Sequence, residues 1–241
     1  MSGKCSTPSL RAGGVVTQPY YADDLVTLYL GDCREVTAWL EADVLVTDPP
    51  YGIGWTRGDW AAAASNPHKG GIASDDDTGI RDAALASWGG ERPALVFGSL
   101  RAAYPAGWKR MLVFRKPVVA CGLFGNRMPW LTNWEPVFAL GKWPQQTPKL
   151  DAVIATAEKA AAGWSGYVTR YKHPHAKPVD AMETLISACP DGTVADPFAG
   201  SGSILVAARN LGRSAVGVEL EERYCEQAAR RLSQMALGFP A

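Results

Sequence analysis

The sequence has no run of 18 consecutive apolar residues, and this absence excludes a transmembrane helix on grounds of length. Its first five residues read Met-Ser-Gly-Lys-Cys and lack the apolar core of a secretory signal peptide. With 47% hydrophobic and 20% charged residues over 241 positions, the chain can bury a sizeable core. We therefore predict a cytoplasmic globular protein that has no membrane partner.

Cysteine is scarce and irregularly placed. The five cysteines are odd in number and scattered along the chain, and none belongs to a C-x-x-C pair. This pattern argues against a disulfide framework and against a zinc site, and it indicates reduced thiols in a cytoplasm. We predict no bound metal.

Net charge is zero overall, since 24 Lys and Arg balance 24 Asp and Glu, but it is unevenly distributed. Residues 101–177 carry 12 basic and 3 acidic residues, whereas residues 1–100 carry 7 and 13. Five of the nine tryptophans fall in the basic block. Basic residues interleaved with aromatic ones suit a surface that contacts phosphates and stacks bases, although a solvated basic face explains the composition equally well. The candidate phosphate-contacting residues are Arg110, Arg115, Lys116, Arg127 and Lys142.

Short apolar runs alternate with amphipathic segments along the chain. The runs predict strands at 25–30, 43–47, 94–97, 110–114, 133–140, 193–195 and 215–218. The amphipathic segments predict helices at 35–41, 80–88, 178–189, 204–211 and 221–235, with an Ala-rich helical segment at 151–162. Strands that alternate with helices indicate a mostly parallel sheet covered on both faces, which is an α/β fold.

Two polar stretches interrupt this alternation. Residues 1–24 are rich in Ser, Thr, Gly and Pro, and we expect them to form an extended arm. Residues 52–80 contain Gly, Asn, Pro and three consecutive aspartates, and a polar stretch of this length is usually a functional or mobile loop. We therefore predict a single domain over residues 25–241 that carries a mobile loop at 52–80.

The strand at 43–47 runs directly into Asp48-Pro49-Pro50-Tyr51. Because proline has no N–H and a fixed φ, the carbonyls of this segment stay out of the hydrogen-bond ladder. A carboxylate beside a rigid free carbonyl and a flat ring can grip the exocyclic amino group of a planar base. The alternative interpretation is a strand that ends in a Pro-Pro turn with a surface tyrosine.

A second turn, at residues 196–203, joins a short strand to a helix and reads Asp-Pro-Phe-Ala-Gly-Ser-Gly-Ser. Glycines in such a turn let backbone N–H groups approach a ligand at the amino end of the helix. Glu219 ends the next strand, where a carboxylate can accept hydrogen bonds from ribose hydroxyls. No Lys-Ser/Thr follows the glycines and a third glycine is missing, so neither a P-loop nor a full dinucleotide fingerprint is present. The pattern predicts a nucleoside cofactor; the alternative is a glycine-rich turn with a surface glutamate.

Together these motifs resemble those of the S-adenosylmethionine-dependent DNA amino-methyltransferases, the N6-adenine and N4-cytosine family. Residues 48–51 resemble the catalytic tetrapeptide, 196–202 the cofactor loop, 173–178 the H-P-x-x-K-P segment and 31–33 the G-D-C element. The resemblance extends from about residue 25 to 235. Because the tetrapeptide precedes the cofactor loop, the order resembles the circularly permuted β group. It implies a class I, Rossmann-like methyltransferase fold whose doubly wound, seven-stranded sheet is mostly parallel.

The resemblance implies a role for each matching residue. The catalytic residues would be Asp48, Pro49, Pro50 and Tyr51. Asp48 and the Pro49 carbonyl would accept hydrogen bonds from the two N–H groups of the target amine, and Tyr51 would stack on a flipped base. S-adenosylmethionine would be bound by Asp32, Lys177, Asp196, Phe198, Gly200, Gly202 and Glu219. Among these, Glu219 would hold the ribose, Asp32 would lie near the adenine, and Lys177 near the cofactor carboxylate.

Two features depart from the family pattern. His175 stands where the H-P-x-x-K-P segment usually carries a small hydroxyl residue. The stretch between Trp143 and Tyr171 is short, so the target-recognition region, which we place at about 142–172, is reduced.

The implied activity is methyl transfer from S-adenosylmethionine to the exocyclic N6 amino group of a flipped adenine in duplex DNA. Transfer to the N4 amino group of cytosine is the nearest alternative, because it uses the same geometry. Methylation of RNA or of a protein glutamine is a further alternative, as is a non-catalytic DNA-binding protein. The implied partner is double-stranded DNA, and the resemblance is compatible with a homodimer and with a cognate restriction endonuclease.

Overall fold

The computed structural model describes residues 18–54, 72–116, 130, 133–145, 149–156 and 176–236. The strands are β1 (Tyr21–Ala22), β2 (Val26–Leu30), β3 (Val44–Thr47), β4 (Ala94–Phe97), β5 (Arg110–Arg115), β6 (Trp134–Leu140), β7 (Val153–Ala155), β8 (Val194–Asp196) and β9 (Ala215–Glu219). The helices are a 3₁₀ turn (Ala38–Glu41), α1 (Gly79–Trp88), α2 (Val179–Ser187), α3 (Ser203–Asn210) and α4 (Glu222–Ala236).

The described strands form one sheet in the order β1-β2-β9-β8-β3-β4-β6-β5-β7. From β2 to β4 the neighbouring strands are all parallel. β6 then runs antiparallel to both β4 and β5. The sheet therefore consists of the seven predicted strands together with a two-residue strand at one edge and a three-residue strand at the other. The predicted mostly parallel α/β fold is confirmed.

Helices cover both faces of this sheet, because each face presents a row of β-branched and aromatic side chains. On one face α2, α3 and α4 pack against Val26, Val46 and Phe97. On the other face the 3₁₀ turn and α1 pack against Leu45 and Val96. Neighbouring residues of β3 thus point to opposite cores, and β3 is buried along its whole length. None of the helices in the described part of the chain combines the length and apolar character needed to cross a membrane.

Strand β3 lies at the centre of the sheet, between β4 and β8. After β3 the chain forms β4 to β7 on one side of β3 in the sheet, and it then forms β8 and β9 on the other side. This reversal is the switch point of a doubly wound sheet, where ligands bind outside the carboxyl ends of the strands. The carboxyl ends of β2, β3, β8 and β9 all lie at this edge, and their loops carry the motifs singled out in the sequence.

The predicted Ala-rich helix at 151–162 is wrong over its described part. Residues 153–155 form β7, which pairs in parallel with β5, and residues 157–162 lie outside the described residues. Pairing with an open strand satisfies the backbone of β7, and its β-branched Val153 and Ile154 favour extended structure over the helical preference of alanine. The helix predicted at 35–41 is reduced to a 3₁₀ turn at Ala38–Glu41.

Gly141 lies in a tight turn that closes the end of β6. Its φ is +77°, in the left-handed region that favours glycine, and an added Cβ would lie 1.9 Å from the carbonyl oxygen of Arg92. The next residue, Lys142, donates its backbone N–H to the carbonyl of Glu91 at 2.9 Å. This turn therefore depends on glycine for both its backbone conformation and its close backbone contact.

We predict that Gly141→Ala lowers the free energy of unfolding by at least about 2 kcal/mol, since the left-handed strain adds to a contact with backbone that cannot move aside. Gly90→Ala is the matched control, because a Cβ there meets nothing within 4 Å. Urea unfolding of the two variants beside the wild type measures the difference. Equal stability of the two variants would contradict this account of the turn.

Candidate active site

An open cleft runs along the carboxyl edge of the sheet, across the ends of β2, β3, β8 and β9. One side of its wall comes from residues 48–51 and Lys177, and the other from residues 196–201, residues 203–204 and Glu219. Gly202 lies in the same turn but does not line the cleft. The loop at 72–75 forms a further part of the lining. The two motifs that lie about 150 residues apart in sequence therefore face the same space.

Asp48 lies in a compact cluster of charged and polar groups. Lys177 Nζ donates to Asp48 Oδ2 at 2.7 Å, and the Tyr51 hydroxyl donates to Asp48 Oδ1 at 2.8 Å. Lys177 Nζ is also 3.1 Å from the Tyr51 hydroxyl oxygen and 3.2 Å from Glu135 Oε2. Lys116 Nζ approaches the other oxygen, Glu135 Oε1, at 2.9 Å. The cluster thus contains two carboxylates and two ammonium groups, and its formal charges balance.

Burial and mutual charge set the ionisation of this cluster. Burial raises the pKa of the Asp48 carboxyl; Lys177 opposes this effect and the negative charge of Glu135 adds to it. Burial disfavours the Lys177 ammonium, but Asp48 and Glu135 outweigh burial and raise its pKa. Burial, with Asp48 and Glu135 beside it, holds the pKa of Tyr51 well above its usual range, so its hydroxyl stays protonated and can donate.

On the opposite wall, Asp196 ends β8 with only 1% of its surface exposed. It accepts a hydrogen bond from Thr47 Oγ1 at 2.8 Å, which joins the ends of β3 and β8, and another from the Phe198 N–H at 3.2 Å. Burial raises the pKa of Asp196 to about 7 in spite of these two donors. A cation in the cleft would favour the ionised form of Asp196, because it would offset the cost of burying the negative charge.

Glu219 braces the glycine turn. Its Oε2 accepts the Gly200 N–H at 2.7 Å, and its Oε1 accepts the Glu221 N–H at 2.8 Å. A carboxylate offers about four acceptor positions in all, so the group can also receive a donor from a ligand. Gly202 has a φ of +78°, and a Cβ there would lie 2.8 Å from Ala228 Cβ, which explains a glycine at this point of the turn.

Asp32 follows β2 and lines the same cleft as Glu219, beside it in the sheet. Its carboxylate pairs with Arg34 at 2.5 Å, and this contact lowers its pKa. Asp32, Asp196 and Glu219 therefore give this half of the cleft three carboxylates, next to the aromatic ring of Phe198. Such a donor set fits a ligand that combines positive charge, hydroxyl donors and a planar base.

The structure divides the predicted phosphate-contacting residues between two edges of the sheet. Arg115 and Lys116 lie at the carboxyl end of β5, opposite Trp134, on the same edge as Asp48. Arg110 starts the same strand, roughly 17 Å away at about 3.3 Å per residue. Lys142 also lies at the far edge, where it pairs with the exposed Glu91 at 2.5 Å. Arg127 lies outside the described residues.

The sequence reasoning missed two residues of the site. Glu135 stands at the amino end of an antiparallel strand, and no motif marks it, so only the sheet topology reveals its place. Asp75 is 3% exposed, accepts the Gly52 N–H at 2.8 Å, and so ties loop 72–75 to the tetrapeptide. The run of three aspartates was the available signal for Asp75. His173 and His175 lie outside the described residues.

The fold of this sheet, which carries a cleft at its switch point, is the class I methyltransferase fold. The M1.HpyAVI–SAM complex matches it with a TM-score of 0.60 at 20% identity, over 86% of this chain and 99% of that one. The structure titled PvuII DNA methyltransferase (cytosine-N4-specific) matches with a TM-score of 0.60 at 15% identity, over 89% of each chain. These likenesses show the fold.

Sequence comparison finds a family match over part of the chain. Residues 130–230 match the family model N6_N4_Mtase, described as DNA methylase. Type II methyltransferase M.ScaI of Streptomyces caespitosus is 36% identical over 99 residues, which are 40% of this chain and 31% of that protein. The chain thus spans about a third of the length of this curated relative. Over residues 130–230 the predicted resemblance to the N6-adenine and N4-cytosine DNA methylases is confirmed.

The raised pKa of Asp196 gives a testable dependence of stability on pH. The pKa of Asp196 is about 7 in the folded state and about 3.9 in an unfolded chain, so folding favours the protonated carboxyl. This contribution is fully present below about pH 4 and is lost as pH rises through 7. The wild type loses most of this contribution between pH 5 and pH 8, whereas Asp196→Asn does not titrate. We therefore predict that the unfolding free energy of Asp196→Asn, relative to that of the wild type, rises by roughly 2–3 kcal/mol from pH 5 to pH 8.

Urea unfolding at several pH values measures this difference. Asp191→Asn is the control, because its side chain is exposed and lies before β8 rather than in the cleft. If Asp191→Asn and Asp196→Asn gave parallel curves of stability against pH, burial of a titrating Asp196 would be refuted.

Proposed function

We propose that this protein transfers a methyl group from S-adenosylmethionine to the exocyclic N6 amino group of adenine in duplex DNA. One observation carries the proposal: the Asp48–Tyr51 segment and the nucleoside-binding features at Asp196 and Glu219 line a single cleft. An amino-group acceptor and a cofactor site must be contiguous for direct transfer, because the reacting atoms have to come within contact distance.

The three carboxylates on the cofactor side support S-adenosylmethionine as the cofactor. Glu219 would accept the ribose hydroxyls on the positions left by Gly200 and Glu221. Asp196 would face the positively charged methionine part, and Asp32 would lie near the adenine. When bound, S-adenosylmethionine supplies an electrophilic methyl group on a sulfonium. The glycine turn and Phe198 would orient that group toward Asp48.

The amine of adenine is a weak nucleophile, because its lone pair is delocalised into the ring. Asp48 and the Pro49 carbonyl would accept hydrogen bonds from its two N–H groups. This would favour a tetrahedral nitrogen and so localise the lone pair. The same acceptors would stabilise the positive charge that develops on nitrogen as it is methylated. The methylated amine is strongly acidic and loses its proton without a base of matched pKa.

The target base must leave the duplex stack to reach the cleft, at a cost of roughly a few kcal/mol. Tyr51 lines the cleft and would recover part of that cost by stacking, which is worth about 1–3 kcal/mol per base. Arg115, exposed at the end of β5, and the neighbouring Lys116 lie at the same edge and would contact the phosphates that flank the flipped nucleotide. A homodimer and a cognate restriction endonuclease belong to this proposal as partners.

Methylation of the cytosine N4 amino group is the second candidate, and the likeness to a fold neighbour titled cytosine-N4-specific favours it. Both reactions use an amino group conjugated to a ring, so the acceptors at Asp48 and Pro49 serve either one. Incubating the protein with duplex DNA and tritiated S-adenosylmethionine, then separating the nucleosides by mass, tests both candidates together. N6-methyl-2′-deoxyadenosine supports the proposal, N4-methyl-2′-deoxycytidine supports the alternative, and absence of labelled DNA refutes both.

We predict that Asp48→Asn lowers kcat for methyl transfer by about 10²-fold or more, because a neutral amide stabilises developing positive charge far less than a carboxylate. Cofactor affinity should change by less than about threefold, since Asp48 lies on the opposite wall from Glu219. Single-turnover methylation and equilibrium binding of S-adenosylmethionine measure the two quantities. A variant that methylates at nearly the wild-type rate would remove Asp48 from the proposed mechanism.

The division of the basic residues yields a prediction about DNA binding. Arg115→Ala should reduce the slope of log K against log salt by about one, as expected for the loss of one phosphate contact. Arg110→Ala is the matched control, because it is an exposed arginine of the same strand at the far edge, and it should leave the slope unchanged. Fluorescence anisotropy over a range of salt concentrations measures both. An equal effect of the two substitutions would place the DNA elsewhere.

A further inference from the structure

Glu135 reaches the cleft from a strand that runs against its neighbours. β6 is antiparallel to β4 and β5, so its amino end lies at the edge where the parallel strands have their carboxyl ends. Glu135 is paired with Phe114 of β5, and Val137 of the same strand is paired with Phe97 of β4. The sheet therefore places a second carboxylate beside Asp48.

The two oxygens of Glu135 have different partners. Oε1 contacts Lys116 Nζ at 2.9 Å, whereas Oε2 lies 3.2 Å from Lys177 Nζ and 3.3 Å from the Tyr51 hydroxyl. Lys177 and Tyr51 also hydrogen-bond Asp48. A carboxylate that served only to neutralise Lys116 would not need contacts to both partners of Asp48. Glu135 thus shares the immediate surroundings of the proposed catalytic carboxylate.

Removing charge from this cluster has a direct electrostatic consequence. The side chains of Lys177, Asp48 and Glu135 are 7%, 18% and 14% exposed, so their mutual interactions are weakly screened by solvent. With Glu135 neutral, the Lys177 ammonium would pair with Asp48 alone. The ammonium would then offset the charge of the Asp48 carboxylate. That carboxylate has to accept a hydrogen bond from the target amino group and stabilise the positive charge that develops on its nitrogen.

We propose that Glu135 is a positioning residue for the methyl transfer: by sharing Lys177 and Tyr51 with Asp48, it keeps the Asp48 carboxylate oriented and strong as an acceptor. The inference rests on the proposed function, since it assigns Glu135 a part in that reaction. Within the described part of the chain, each oxygen of Asp48 accepts one donor. Since a carboxylate oxygen has two acceptor positions, we assign the second position on each to the substrate.

The test compares Glu135→Gln, which keeps the size of the side chain and removes its charge, with the wild type. Glu135→Asp is included to ask whether a shorter carboxylate rescues activity. The control is Glu226→Gln, which removes an exposed glutamate paired with Arg230 on α4. Circular dichroism and urea unfolding verify that each variant is folded. Methyl transfer to duplex DNA is then followed as kcat, as KM for S-adenosylmethionine and as a pH profile.

For Glu135→Gln we expect kcat to fall about tenfold or more, KM for S-adenosylmethionine to stay within about twofold, and Glu135→Asp to recover part of kcat. The acid limb of kcat should move to lower pH, because Glu135 is one of the charges that raise the pKa of Asp48. Among the described residues, Lys177, Tyr51, Lys116 and Asp196 are the other ionisable groups that interact with Asp48 or Glu135, and all are retained.

Other results overturn the inference in distinguishable ways. If Glu135→Gln keeps the wild-type kcat and pH profile while the wild type methylates DNA, Glu135 has no positioning role and the proposed function survives. A change confined to KM for S-adenosylmethionine would assign Glu135 to the cofactor site instead. If the wild type itself transfers no methyl group, the proposed function fails and the role of Glu135 falls with it.

Discussion

The ion pair between Lys177 and Asp48 is the interaction on which the organisation of the cleft depends. It joins the segment before α2 to the end of β3 across 129 residues, inside a region of low exposure. An unpaired charge at this depth would be costly, so either residue alone would be unfavourable there. Glu135 and Lys116 extend the pair to a balanced set of four, which allows a carboxylate to remain ionised beside a largely apolar sheet.

The parallel arrangement of the central strands explains why residues 48–51 and the glycine turn at 196–203 face one cleft. Parallel strands end at a common edge, so the loops after β2, β3, β8 and β9 meet although their order along the chain is permuted. The hydrogen bond from Thr47 to Asp196 joins the two halves directly at the switch point. The antiparallel β6 adds residues from its amino end, and in this way a strand with no motif contributes Glu135 to the site.

The two walls of the cleft differ in how their charge is compensated. On the wall that holds residues 48–51, Lys177 and Lys116 balance Asp48 and Glu135, so the charge is satisfied within the protein. On the wall formed by the glycine turn, Asp196 and Glu219 are buried with backbone and hydroxyl donors. Burial therefore raises the pKa of both carboxyls there. This wall is electrostatically suited to a cationic ligand, whereas the charges on the Asp48 wall already balance, which suits a neutral ligand.

The sequence by itself determined the alternation of strands and helices, the tetrapeptide at 48–51 and the glycine turn with Glu219, because each depends on a local pattern of apolar, proline or glycine residues. The tertiary structure alone decided three other features. It paired Val153 and Ile154 with β5 where alanine content favoured a helix. It separated Arg115 from Arg110, which composition had grouped. It also brought Glu135 and Lys177 to Asp48, because strand direction and register, unlike periodicity, are set by contacts between residues far apart in the chain.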